Sequence, residues 1–102
     1  VQVRVVAADE RDSFYVDEIT EIELLENYPR MSKNNGYDGT VYNIGAFNVS
    51  GYGKCRTYVC LKTKPAIIVR TQDKTYLLND ESEAGTRELY DRLVDACGKG
   101  VQ

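Results

Sequence analysis

The first eight residues, Val1 to Ala8, begin by alternating, with Val1, Val3 and Val5 on one side and Gln2 and Arg4 on the other. A period of two belongs to a strand with one buried face, which predicts a first or edge strand here. Asp9-Glu10-Arg11-Asp12-Ser13 makes a polar turn, and Phe14-Tyr15-Val16 starts a second extended piece. Residues 17–25 carry two periods at once: Ile19, Ile22 and Leu25 suit a helical stripe, while Ile22 and Leu24 suit a strand face. We read a strand from Ile19 to Leu25 that follows a tight turn. From Glu26 to Gly39 the turn formers accumulate (Pro29, Asn34-Asn35-Gly36, Asp38-Gly39), predicting the longest loop of the chain or an irregular hairpin within it.

Thr40 to Gly53 mixes aromatic residues with Gly45, Gly51 and Gly53, the pattern of one or two short strands with bulges or a tight bend. Lys54 to Thr63 is the clearest two-faced strand: Cys55, Thr57, Val59, Leu61 and Thr63 fall on one side, and Lys54, Arg56, Tyr58, Cys60 and Lys62 on the other, with Lys64 beyond its end. Ala66 to Thr71 is continuously apolar until its last two residues, Gln72-Asp73-Lys74 is a hairpin turn, and Thr75 to Asn79 returns antiparallel. The period then changes. Thr86, Leu89, Tyr90, Leu93, Val94 and Cys97 recur every three or four residues, one stripe of an amphipathic helix over about 81–97. Asp80 with Glu83 predicts a capping box, with Ser82 as the alternative cap, and Gly98 predicts the stop.

The 102 residues are a one-domain length, so a single domain over 1–102 is expected, with strands over about 1–79 and the helix after them. At 42% hydrophobic and 28% charged residues the composition is that of a folded globular chain. The longest apolar run, Pro65 to Val69, is strand-sized, well short of the roughly 20 residues of a membrane-spanning helix. The chain opens at Val1 without a signal-peptide pattern, which leads us to expect a piece of a longer or processed protein. A formal charge of -3 gives no global attraction for nucleic acid, so no nucleic-acid partner is expected. There is no histidine, and the three cysteines, Cys55, Cys60 and Cys97, form no CxxC pair, so neither a metal centre nor another cofactor is expected. Cys55 and Cys60 are at odd spacing, on opposite faces if they share a strand, which forbids a bond between them. Reduced, partly buried thiols in a reducing, cytoplasmic compartment are the expectation.

The segment SFYVDEI at 13–19, the NNGYDG turn followed by Gly45-Ala46-Phe47, the pair Gly51 and Gly53, the strand AIIVRT with its partner TYLLN, and the terminal TRELYDRL resemble the bacterial pleckstrin-homology-like (PH-like) domains of small membrane-associated proteins. The resemblance covers nearly the whole chain. It implies a mainly β fold with one C-terminal α-helix: a bent antiparallel barrel of about seven strands with one end plugged by the helix. It also implies accompanying transmembrane helices, hence association with a membrane, and it brings no catalytic motif.

Phosphoinositide binding would need a basic first loop, and Asp9-Glu10-Arg11-Asp12 is net negative. Lys54, Arg56, Lys62 and Lys64, with Tyr58 among them, form the one basic constellation, able to meet an anionic ligand or membrane surface. The bland alternative is a solvated strand face whose lysines discourage edge pairing. Tyr28, Tyr37, Tyr42 and Tyr52 lie in the Asn- and Gly-rich middle and suit contact with a protein or peptide, a second copy of the chain included; packing at the barrel rim is the alternative. Asp17, Glu18, Glu21, Glu23 and Glu26 read as a solvated acidic face. Without histidine, and without GxSxG or a phosphate-cradling glycine loop, the expectation is a non-catalytic binding or assembly module.

Overall fold

A computed structural model describes the backbone of residues 4–6, 13–38 and 41–97, and the side chains from Phe14 to Lys33 and from Val41 to Cys97. The predicted acidic turn at 9–12 and the stop at Gly98 lie outside the described residues. Two short strands, β1 (Arg4–Val6) and β2 (Ser13–Tyr15), pair antiparallel, and a single 3-10 turn (Val16–Glu18) follows. Then come β3 (Ile19–Leu25), β4 (Met31–Asp38), β5 (Tyr42–Val49), β6 (Gly53–Cys60), β7 (Ala66–Thr71) and β8 (Thr75–Leu78), and the helix α1 (Glu83–Cys97).

The six later strands make one sheet in the order β3-β7-β8-β6-β5-β4. The fold is therefore mainly β with one C-terminal helix, as the resemblance implies. Two details differ from the barrel it suggests. The sheet does not close among the described residues, and β6 runs parallel to β8, with Arg56 opposite Tyr76 and Tyr58 opposite Leu78. The cause is topological. After β6 the chain passes over one strand position to pair β7 with β3, and β8 turns back into the gap between β7 and β6. Being central, β7 and β8 are buried on both faces, which is why Ala66–Val69 and Tyr76–Leu78 read as unbroken apolar runs instead of alternating ones.

Each face of the sheet has its own core. On the helix side Phe14, Val16, Ile19, Ile22, Ile67, Val69, Tyr76 and Leu78 receive Leu93, flanked by Leu89, Tyr90, Val94 and Cys97 of the same stripe. Phe14 and Tyr76 stack with ring centroids 4.7 Å apart. On the other side Phe47, Val49, Cys55, Val59, Ala66, Ile68 and Leu77 pack together, rimmed by Leu25, Tyr28, Met31, Tyr52 and Leu61. Neighbours along β7 thus serve different cores: Ile67 and Val69 one, Ala66 and Ile68 the other.

The loop predicted over 26–39 is corrected. Its second half is β4, eight residues paired with β5 in a register from Met31↔Val49 to Asp38↔Asn43. The register shifts between Lys33 and Asn35, so Asn34 is taken up as a bulge at the sheet edge, where Asn and Gly are tolerated. The predicted strand over 19–25 is β3 with the same bounds, and Val16, expected in the preceding extended piece, opens the 3-10 turn. The bend between β5 and β6 is a tight turn in which Tyr52 N donates to Val49 O at 2.9 Å, and Gly51 and Gly53 take positive φ values of 87° and 79°. Only glycine holds that conformation without strain.

The helix cap is also corrected. Ser82, not Asp80, is the capping residue: its Oγ accepts from Gly85 N at 3.0 Å. Asp80 stands behind it, Oδ2 accepting from Ser82 N at 3.1 Å and from Ser82 Oγ at 3.2 Å. The fully buried Thr86 hydroxyl accepts from Asp80 N at 3.0 Å and donates to Ser82 O at 2.9 Å, tying the first turn to the strand it leaves.

Candidate functional surfaces

The basic constellation divides in space. Lys54 and Arg56 lie at the start of β6, whereas Lys62 and Lys64 lie in the turn after it, so the two pairs sit at opposite ends of a strand that spans roughly 25 Å at about 3.3 Å per residue. Lys64 Nζ donates to Asn27 Oδ1 at 3.2 Å. Tyr58 is half-buried against the helix-side core, and Arg56 Nη2 is 3.4 Å from its hydroxyl. The sheet gives Lys54 and Arg56 a different companion. The hairpin turn of β7 and β8 lies beside them, and Lys54, Arg56, Lys74, Thr71 and Thr75 line an open cleft of about 820 Å3 with Gln72 and Asp73. Thr71 Oγ1 holds that turn, accepting from Lys74 N at 3.0 Å. Lys74 is absent from the sequence-derived set because only the parallel placement of β8 beside β6 brings it near; spacing along the chain carries no such signal.

The tyrosines divide too. Tyr28 is inside a polar knot that joins three chain segments: its hydroxyl donates to Cys60 O at 2.8 Å and accepts from Asn79 Nδ2 at 2.7 Å, while Asn79 Oδ1 accepts from Cys60 N at 2.8 Å. Burial pushes that hydroxyl up to about 12, against the Asn79 hydrogen bond, which pulls it down. Tyr52 is half-buried at the rim of the same core as Tyr28, donating to Glu23 Oε2 at 2.8 Å with the Arg70 guanidinium 5.3 Å from its ring centre; burial first, then Glu23, raises its hydroxyl above the ordinary range. Tyr37 is on β4 opposite Ile44 in the register, and its side chain lies outside the described ones. Of the four, Tyr42 is exposed, at 38%, its hydroxyl donating to Glu81 Oε1 at 3.1 Å and held protonated by it.

Two residues along β5 from Tyr42, and on the same face, is Ile44 at 37% exposure. With Tyr15 these are the exposed large hydrophobic side chains of the described residues. Ile44 is paired with Tyr58 in the β5–β6 ladder, and Tyr58 packs against the helix-side core, so Ile44 lies on the face of the sheet that carries α1. The sequence missed Ile44, although its alternation with the buried Asn43 and Gly45 is the available signal.

Three of the five acidic residues read as solvated have partners. Glu21 Oε1 is 3.0 Å from Arg70 Nε, an ion pair bent too far from the N–H direction to be a hydrogen bond. Glu23 accepts from Tyr52, and Glu26 takes both Arg87 amino groups at 2.8 and 3.1 Å. Arg87 also reaches Glu83 at 3.0 Å, and its hydrogen bonds hold the exposed Glu26 carboxyl below the ordinary range. Cys55 and Cys60 share β6 unbonded, and burial pushes the Cys55 thiol up to about 11.

Among the described residues no cluster of three metal-ligating side chains is found, and no helix is long and apolar enough to cross a membrane. No curated protein matches the chain, and no solved structure does. A family model described as the bacterial PH domain matches residues 1–84, from the first strand to the opening of α1, so the core of α1 is supplied by sequence outside the match. With most of its length inside that match, and a mainly β fold ending in one helix, the chain belongs to the bacterial PH domain family.

Proposed function

We propose that this domain is a non-catalytic binding module that makes protein contacts, including contacts with its own copies, through the outward face of β5. The observation that carries this reading is the pair Tyr42 and Ile44, exposed side by side on one strand next to the edge strand β4. An aromatic ring held in place by Glu81 and an aliphatic neighbour present a stiff contact area whose ordering on binding costs little entropy. Family membership supports the coarse part of the reading, a binding module.

Light scattering over a concentration series tests it, comparing the chain with Ile44→Lys and Tyr42→Ser variants. The expected result is a mass that rises with concentration and falls back toward the monomer in both variants. A monomer mass throughout the series, or association that Ile44→Lys leaves unchanged, would sink the β5 contact.

A further inference from the structure

We propose that Tyr52 is a clasp that shuts one end of the core on the face away from α1, and that the β5–β6 turn is the strap that carries it. In strand order β7 and β8 stand between β3 and β6. In a flat sheet β3 and β6 would therefore lie roughly 14 Å apart, three spacings of about 4.8 Å. The hydroxyl of Tyr52, the residue before β6, nevertheless donates to Glu23 Oε2 on β3 at 2.8 Å. The sheet is curled, and a side chain spans the opening that strand pairing leaves among the described residues.

The register shows how far the ring reaches. Glu23 stands level with Ile68, Leu77 and Thr57 across β7, β8 and β6, so Tyr52 folds back from the start of β6 past Cys55 to meet it. Arg70, paired with Glu21, adds a cation–π contact to the ring at 5.3 Å. The core that the clasp closes holds Phe47, Val49 and Cys55, each at most 2% exposed. Its two ends are shut in different ways. At the Cys60 end of β6, Tyr28 is fixed by backbone carbonyl oxygens and by Asn79. At the Gly53 end the partners are charged side chains, and those of Arg70 and Glu21 are 36% and 43% exposed, where water and salt compete for them. Gly51 and Gly53 flank Tyr52 at positive φ, with nothing within 4 Å of where a Cβ would stand, so the strap has room to swing. The Gly53 end is the one built to open. Tyr42 and Ile44 lie on the opposite face, so the clasp is independent of the β5 contact.

Cys55 serves as the reporter. Its labelling by a disulfide reagent is compared with the unfolding rate of the same chain, in a Cys60→Ala/Cys97→Ser background that leaves it the one thiol. In the parent the clasp holds, and labelling tracks unfolding. Tyr52→Phe keeps the ring and loses the hydroxyl; Tyr52→Ala loses both. In each, labelling should outrun that variant's own unfolding by at least about tenfold, the worth of one charge-assisted hydrogen bond, and should be insensitive to low urea. Glu23→Gln, whose amide oxygen still accepts, should label more slowly than Glu23→Ala. Ile44→Lys should label as the parent does, which separates failure of the clasp from failure of the β5 reading. Labelling that tracks unfolding in both Tyr52 variants would overturn the proposal. So would fast labelling in Tyr52→Ala alone, which makes the ring a filler, and so would a parent already labelled ahead of its unfolding.

Discussion

Two buried protons set how the domain responds to alkali. Cys55 is 1% exposed and Tyr28 is held in its polar knot; burial raises the first from 9.0 to about 11, against the opposing charge of Arg70, and the second from 10.0 to about 12. Between those limits the folded chain keeps protons that the unfolded chain has released, so the unfolded state binds fewer and stability falls as pH rises. The contribution is complete below pH 9 and is lost progressively from pH 9 to 12. Urea midpoints measured from neutral pH upward should fall across that window, and Cys55→Ala and Tyr28→Phe should each flatten the fall; a midpoint that climbs above pH 9 would contradict the assignment. By the same protonation Cys55 is a poor nucleophile near neutral pH, and its reaction with a disulfide reagent should follow the rate of unfolding.

At the level of elements the cap of α1 and strand β4 show where local signals stop short. Asp80 with Glu83 has the spacing of a capping box, but Ser82 stands between them with an oxygen already within reach of Gly85 N, and Asp80 serves it from behind. Ser82→Ala should cost about 1 kcal/mol of stability. Gly85→Ala gives the sharper measurement. At an ordinary helical position this exchange stabilises by up to ~1 kcal/mol, but here a Cβ would run into the Asp80 carboxylate and crowd the Ser82 hydroxyl. The gain should be absent in urea denaturation, and a full gain would show that the Asp80 side chain is dispensable. In β4, Asn34, Asn35 and Gly36 carry the chemistry of a turn, and a ladder with β5 overrides it because one bulge absorbs the misfit. The strands at 19–25, 66–71 and 75–78 were legible because burial of one face or both leaves its mark on hydrophobicity; a polar edge strand leaves none.

For the molecule as a whole, the element order, the helix stripe and the continuous central strands can be read from the chain, whereas the pairing order cannot. Hydrophobic period says which face is buried and nothing about which strand lies alongside, so the basic residues of β6 could not be joined to Lys74, nor the middle tyrosines separated from one another. Docking of α1 is the global contact that the sequence does foretell. Leu93 fills the helix-side core among Ile19, Ile22, Ile67 and Val69, so Leu93→Ala should cost about 2–5 kcal/mol and lower the thermal midpoint cooperatively. Loss of helix signal while the sheet stays folded would instead show that α1 is a separable element.

The late arrival of β8 sets the order in which this sheet can be assembled. As the chain is made, β6 and β7 come first, and neither completes the other, because the place between them belongs to residues 75–78. Until that short stretch folds back, the two-faced β6 and the apolar β7 each present an open edge, the geometry that invites pairing with foreign chains. The sheet therefore completes in one late step, with the local β7–β8 hairpin closing a gap opened far earlier in the chain. A chain ending before Thr75 leaves the place between β6 and β7 unfilled and should aggregate instead of folding as a smaller version of this domain.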